Sequence, residues 1–80
     1  MVLKNWQLRN CLVELLTESN FVITKVGICS FTVNGWTFKV ESSKLAKYTV
    51  IYSRLSGSRS NRILTDSHSE LLKEILFVLN

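Results

Sequence analysis

The first eighteen residues place apolar side chains at the spacing of a helix. At 100° per residue, one arc of about 140° holds most of the apolar side chains, and polar side chains cover the far side. The residues in that arc are Leu8, Cys11, Leu12, Leu15 and Leu16. The pattern therefore predicts a helix over residues 4–18 with one buried face. Ser19-Asn20 ends this helix, because asparagine tolerates the left-handed backbone of a helix cap.

From residue 21 the chain becomes rich in β-branched and aromatic side chains. Asn34-Gly35 separates two such runs, residues 28–33 and 36–40. Asn-Gly favours the positive φ angles of a type I′ turn, so the two runs predict a β-hairpin. Residues 21–25 predict an earlier strand, and Gly27 indicates a bulge or tight turn after it.

Alternation with a period of two continues over residues 47–54. Tyr48, Val50 and Tyr52 fall on one face of this strand, and Thr49, Ile51 and Ser53 fall on the other. A polar loop is expected over residues 55–61, and residues 62–65 can form a short return strand. The sheet is therefore expected to have three to five strands.

A second helix is predicted over residues 67–79. Ser67 and Glu70 have the spacing of a capping box, in which each side chain binds a free amide at the helix start. The apolar arc of this helix contains Leu71, Leu72, Ile75, Leu76, Val78 and Leu79. The order of elements predicts an α+β fold, with residues 1–80 as a single domain. Both helices are expected on one face of an antiparallel sheet.

The composition excludes several classes of protein. With 80 residues, one core is expected, and no segment approaches the roughly 20 apolar residues of a membrane helix. One histidine and two cysteines exclude a four-ligand zinc site made of these residues alone, and the three isolated glycines form no phosphate loop. No metal or cofactor is therefore expected. The beginning of the chain does not resemble a signal peptide, so we expect a cytoplasmic protein, in a cell or an infected host cell, with Cys11 and Cys29 as free, buried thiols.

His68 is the only histidine, and it stands beside Asp66 and Ser67. Neighbours in one helical turn cannot align a nucleophile, a base and its orienting carboxylate, so a catalytic triad is not expected. We expect a protein without catalytic residues. A metal-independent ribonuclease that uses His68 with arginine and tyrosine side chains is the remaining enzymatic alternative.

The positive charge is concentrated in one part of the chain. The whole protein has a net charge of +4, yet residues 39–62 contain six bases and only one acid, Glu41. Arginine, serine and glycine alternate in the last third of that stretch, which suits phosphate because arginine offers forked donors and serine offers short hydroxyl donors. The sequence therefore predicts binding of nucleic acid, RNA or DNA, with Trp36 either stacking on a base or filling the core. The predicted cationic site residues are Lys39, Lys44, Lys47, Arg54, Arg59 and Arg62.

Three apolar residues lie off the main arcs of the two helices: Trp6, Val13 and Phe77. If these side chains are exposed, they indicate a partner or dimer surface. If they are covered, they pack at the edges of the core. The alternative function is therefore a protein-binding module, such as a small phage or mobile-element inhibitor or adaptor, or a subunit of a larger complex. In that case the basic stretch would contact an acidic protein surface.

The run from Leu15 to Ile23, followed by Gly27, is similar to the entry from helix to strand in HicA-type toxins. Helix residues 67–76 are positioned like the last helix of that family, and the α-β-β-β-α order resembles the double-stranded-RNA-binding fold. Ile28-Cys29 occupies the place of the toxin family's catalytic histidine. Asp66, His68 and Glu70 occupy the place of the RNA-binding family's lysine cluster. The resemblance therefore implies a fold and neither activity.

Overall fold

Two helices flank five strands in the order that the hydrophobic pattern predicts. The structure is a computed structural model that describes residues 4–57 and 59–80, so Ser58 of the predicted loop and residues 1–3 of the predicted domain lie outside it. The elements are α1 (Asn5–Glu18), β1 (Ile23–Val26), β2 (Ser30–Val33), β3 (Trp36–Glu41), β4 (Tyr48–Arg54), β5 (Ser60–Thr65) and α2 (His68–Leu79). Both helices begin one residue later than predicted, and β5 begins two residues earlier.

The strands form one antiparallel sheet in the order β1-β2-β3-β4-β5. Asn34 and Gly35 have φ angles of 51° and 77°, which confirms the predicted turn between β2 and β3. Asn20 has a φ of 71°, which confirms the left-handed residue after α1. The amide of Gly27 donates to the carbonyl of Ser30 at 2.8 Å, so this glycine lies in the tight turn between β1 and β2.

One face of the sheet is apolar, and we call it the core face. The register aligns Phe31 with Phe38 and Tyr52, and it aligns Val40 with Val50 and Ile63. The buried side chains of this face and of both helices form a single hydrophobic cluster. Both helices and this face of the sheet thus contribute to one core. Its members are Leu8, Leu12, Leu16, Phe31, Val33, Phe38, Val40, Val50, Ile63, Leu71 and Ile75.

Cys11 and Cys29 are free thiols, as predicted, but each is only half-buried, and neither belongs to the buried cluster. Neither helix in the described part of the chain is long and apolar enough to cross a membrane.

Candidate nucleic-acid interface

The face of the sheet opposite the core face carries polar side chains in rows that cross the strands, and we call it the polar face. Strands lie about 4.8 Å apart, so a row that crosses all five strands spans roughly 19 Å. The register gives a first row of Lys25, Thr32, Thr37, Ser53 and Ser60. The second row is Ser30, Lys39, Ile51 and Arg62, and the third is Glu41, Thr49 and Leu64. Hydroxyl groups and cations therefore share one surface.

Three cations and one carboxylate lie on the polar face: Lys25, Lys39, Arg62 and Glu41. The Nζ atom of Lys39 lies 4.0 Å from Oε1 of Glu41, which is the one ion pair among the described residues. An exposed pair of this kind contributes little free energy, so Lys39 can exchange Glu41 for an anionic ligand at small cost.

Arg54 and Arg59 lie at the end of the sheet next to the first row, and the register pairs Arg54 with Trp36, on the core-face side of that end. Arg54 follows Ser53 at the end of β4, and Arg59 precedes Ser60 at the start of β5. The Cζ atom of Arg54 lies 4.7 Å from the ring centroid of Trp36. This cation–π contact restrains the guanidinium, while both arginines remain exposed to solvent.

Trp36 belongs to the core face, where its ring meets that of Tyr52 edge to face with 5.7 Å between centroids. Its indole is half-buried and supports Arg54, so it lies apart from the polar face. The register places the other aromatic residues of β3 and β4 on the core face as well: Phe38, Tyr48 and Tyr52. No strand residue of the polar face in the described chain is aromatic.

Lys44 and Lys47 lie at the other end of the sheet, in the connection between β3 and β4. From Lys47 to Arg54 the chain makes seven steps, which span about 23 Å at the rise of a β-strand. Both lysines line a polar concavity of about 440 Å³ that Glu41 and Asp66 also line. Two carboxylates and two ammonium groups thus line the same concavity, and no ion pair joins them among the described residues. The six bases that are close in sequence are therefore divided between two ends of the sheet and its polar face.

His68 begins α2 and meets the ring of Tyr48 edge to face, with 5.7 Å between centroids. The carboxylate of Asp66 accepts a 2.7 Å hydrogen bond from the amide of Lys47. Ser67 accepts a hydrogen bond from the amide of Glu70 at 3.3 Å, which confirms its half of the predicted capping box, but the amide of Ser67 donates to Oγ1 of Thr65 at 3.1 Å in place of the Glu70 carboxylate. These three side chains therefore have structural contacts at the start of α2. Within residues 4–57 and 59–80, no cluster of three or more His, Cys, Asp or Glu side chains could hold a metal ion.

The three residues predicted as a partner surface have different environments. Val13 is partly buried and packs against the core, so it fits the second of the two predicted roles. Trp6 is 47% exposed at the start of α1, and Phe77 is 82% exposed near the end of α2. The two aromatic residues remain candidates for partner contacts, although they lie on different helices.

Sequence patterns alone do not identify Lys25 or the hydroxyl row as part of this surface. The register between β1 and β2 shifts between Ile23 and Lys25, and this irregularity places Lys25 opposite Thr32. Alternation within β4 does assign Ser53 to the face of Thr49 and Ile51. Which residues lie beside Ser53 on the neighbouring strands depends on the pairing register. The alternation within one strand does not determine that register.

No protein-family model matches this sequence, and neither a curated protein nor a solved structure shows significant similarity to it. The structure has two strands more than the α-β-β-β-α order that the sequence resembles.

Proposed function

We propose that this chain is a small non-catalytic protein of the cytoplasm that binds nucleic acid at the polar face and the adjacent end of the sheet. One observation carries the proposal: three cations and a single carboxylate lie on the polar face beside a row of hydroxyl side chains, and two further arginines lie at the adjacent end of the sheet. The proposed cationic contacts are Lys25, Lys39, Arg54, Arg59 and Arg62.

The distribution of charge favours this surface over the helices. The two helices together carry two cations, Arg9 and Lys73, and four carboxylates, Glu14, Glu18, Glu70 and Glu74. A polyanion is therefore attracted to the polar face and repelled by the helical layer.

The chemistry of the polar face suits the sugar–phosphate backbone. Guanidinium and ammonium groups neutralise phosphates, and serine and threonine hydroxyls donate hydrogen bonds to phosphate oxygens. With no aromatic strand residue on this face to stack on a base, binding should depend strongly on salt and weakly on base sequence.

Fluorescence anisotropy with labelled RNA and DNA, titrated at several salt concentrations, tests the proposal. The triple variant Arg54→Ala, Arg59→Ala, Arg62→Ala removes three proposed phosphate contacts. We expect weaker binding to every sequence and a log–log salt slope that is less steep by roughly 3, since each phosphate contact contributes about 0.9.

The matched control is the double variant Lys44→Ala, Lys47→Ala. It also removes bases from residues 39–62, but at the opposite end of the sheet, where Glu41 and Asp66 line the same concavity. We expect its affinity and salt slope to stay close to those of the parent. Equal losses in the two variants would contradict the proposed site, and an unchanged triple variant would contradict nucleic-acid binding there. Circular dichroism checks that both variants fold.

A protein-binding module, such as a small phage or mobile-element inhibitor or adaptor, is the second candidate function. The exposure of Phe77 supports it, because Phe77 is the most exposed aromatic side chain among the described residues and offers such a partner a large apolar contact. Replacing Phe77 with serine should weaken binding to such a partner and leave binding to nucleic acid unchanged.

A further inference from the structure

Strand β5 forms an open edge of the sheet. It is the last strand in the sheet order, and its six residues pair with β4 without a register shift. Strand β1 forms the other edge, with only four residues and an irregular register. A regular edge strand of this length presents backbone donors and acceptors to which another strand can add.

A groove of about 310 Å³ lies between the β5 edge and α2. Its lining combines residues 62–65 of the edge strand, which include the cation Arg62, with Tyr52 and two carboxylates of α2, Glu70 and Glu74. Both glutamates are exposed and lie one turn apart on the same flank of α2. Among the described residues, no cation lies within 4.0 Å of either carboxylate. The groove therefore joins an open strand edge to a pair of carboxylates without an ion-pair partner.

We propose that β5 binds an extended segment of a partner protein as a sixth strand, and that this segment carries lysine or arginine at every second position. Side chains alternate between the two faces of a strand, so every second residue of the segment faces α2 and its glutamates. The other residues lie beside Arg62 on the polar face, where neutral or acidic side chains fit. Phe77, one turn beyond Glu74, contacts the aliphatic stems of the basic residues.

A second copy of the chain fits this edge less well. Two β5 strands related by a two-fold axis would continue the sheet with both α2 helices on the same side. Glu70 and Glu74 of both copies would then face one seam, which would bring four carboxylates together on the side of the helices, while the two Arg62 residues belong to the opposite face of the sheet. A basic segment replaces this repulsion with attraction.

The β5 edge would be the binding site of the second candidate function, protein binding, and it does not depend on nucleic-acid binding. The probe is an eight-residue synthetic peptide that alternates lysine with threonine, added to isotopically labelled full-length protein. We expect the amide signals of residues 60–65 to shift and to exchange more slowly with solvent. The same peptide with glutamate in place of lysine should leave these signals unchanged.

Charge reversal of the groove tests the role of the glutamates. The variant Glu70→Lys, Glu74→Lys should lower the affinity for the lysine peptide at least tenfold. The control Glu14→Lys, Glu18→Lys makes the same charge change on exposed positions of α1, and its affinity should stay within threefold of the parent. Thermal melts show whether each variant folds.

Three results would overturn the inference: no peptide-dependent change in β5, an equal loss of affinity in both variants, or a concentration-dependent dimer through β5 without peptide. A further variant distinguishes a failure of peptide binding at β5 from a failure of nucleic-acid binding. The variant Arg54→Ala, Arg59→Ala should bind nucleic acid less well and bind the peptide normally.

Discussion

Two buried threonines illustrate how the central strands enclose polar side chains. Thr49 is 2% exposed and Thr32 is 7% exposed, although both lie on the polar face. The hydroxyl of Thr32 lies 3.4 Å from that of Thr37, whereas the hydroxyl of Thr49 has no hydrogen-bond partner among the described residues. A buried hydroxyl without a partner costs free energy, so Thr49 lowers the stability of the fold.

Replacing Thr49 with valine should therefore stabilise the protein. Valine has the same shape without the unpaired hydroxyl, and we expect the free energy of unfolding to rise by about 1 kcal/mol. Urea denaturation followed by circular dichroism measures the change. Thr32→Val is the matched control, since it removes a partner of Thr37 and should lower the free energy of unfolding. Shifts of the same sign in both variants would contradict this explanation.

At the scale of the element, short sequence signals predict the structure where its hydrogen bonds join residues that are close together in the chain. Asn34-Gly35 predicts the β2–β3 hairpin because a two-residue turn needs positive φ at both positions. Ser67 predicts the start of α2 because its side chain accepts a bond from an amide three residues later. The edge strands are harder to predict. The ends of β5 depend on its pairing with β4, and the irregularity of β1 depends on β2.

Gly35→Ala should test the hairpin turn. The φ of 77° disfavours any residue with a Cβ atom, and no atom lies within 4 Å of the position of that atom, so the cost is conformational alone. We expect the free energy of unfolding to fall by about 1–2 kcal/mol. Gly57→Ala is the comparison, because Gly57 has no positive φ and an added Cβ would lie 3.4 Å from the Cβ atom of Arg54. A change at Gly57 as large as that at Gly35 would contradict the assignment of strain to the turn.

At the scale of the whole molecule, the core was predictable and the surface was not. Helical and strand periods identify Leu8, Leu12 and Leu71 as core residues, since burial follows directly from the period. The basic stretch of residues 39–62 is contiguous in sequence, yet folding separates Lys47 from Arg54 by the length of β4. Which charges share a surface is set by register and strand direction, and neither is encoded in the run of bases.

One hydrophobic cluster joins both helices to the sheet. Shortening a single buried side chain should therefore destabilise the entire fold. Leu71 is fully buried, so Leu71→Ala should lower the free energy of unfolding by about 2–5 kcal/mol. A chain of this length has roughly 4–12 kcal/mol in total. Tryptophan fluorescence reports on Trp6 and Trp36, and circular dichroism reports on the helices and strands. The two signals should show the same urea midpoint of unfolding. Separate transitions would show that α2 unfolds independently of the rest.

The order of the strands has a consequence for how the chain reaches this structure. Every strand pairs only with the strand that precedes or follows it in the chain. Each pairing therefore closes a short loop, and the entropy lost in closing a loop grows with its length. Folding rates of small domains rise as contacts become more local, so this sheet can assemble hairpin by hairpin, faster than a sheet whose neighbouring strands are distant in sequence. The same locality shortens the time for which unpaired strands are exposed to other chains during folding.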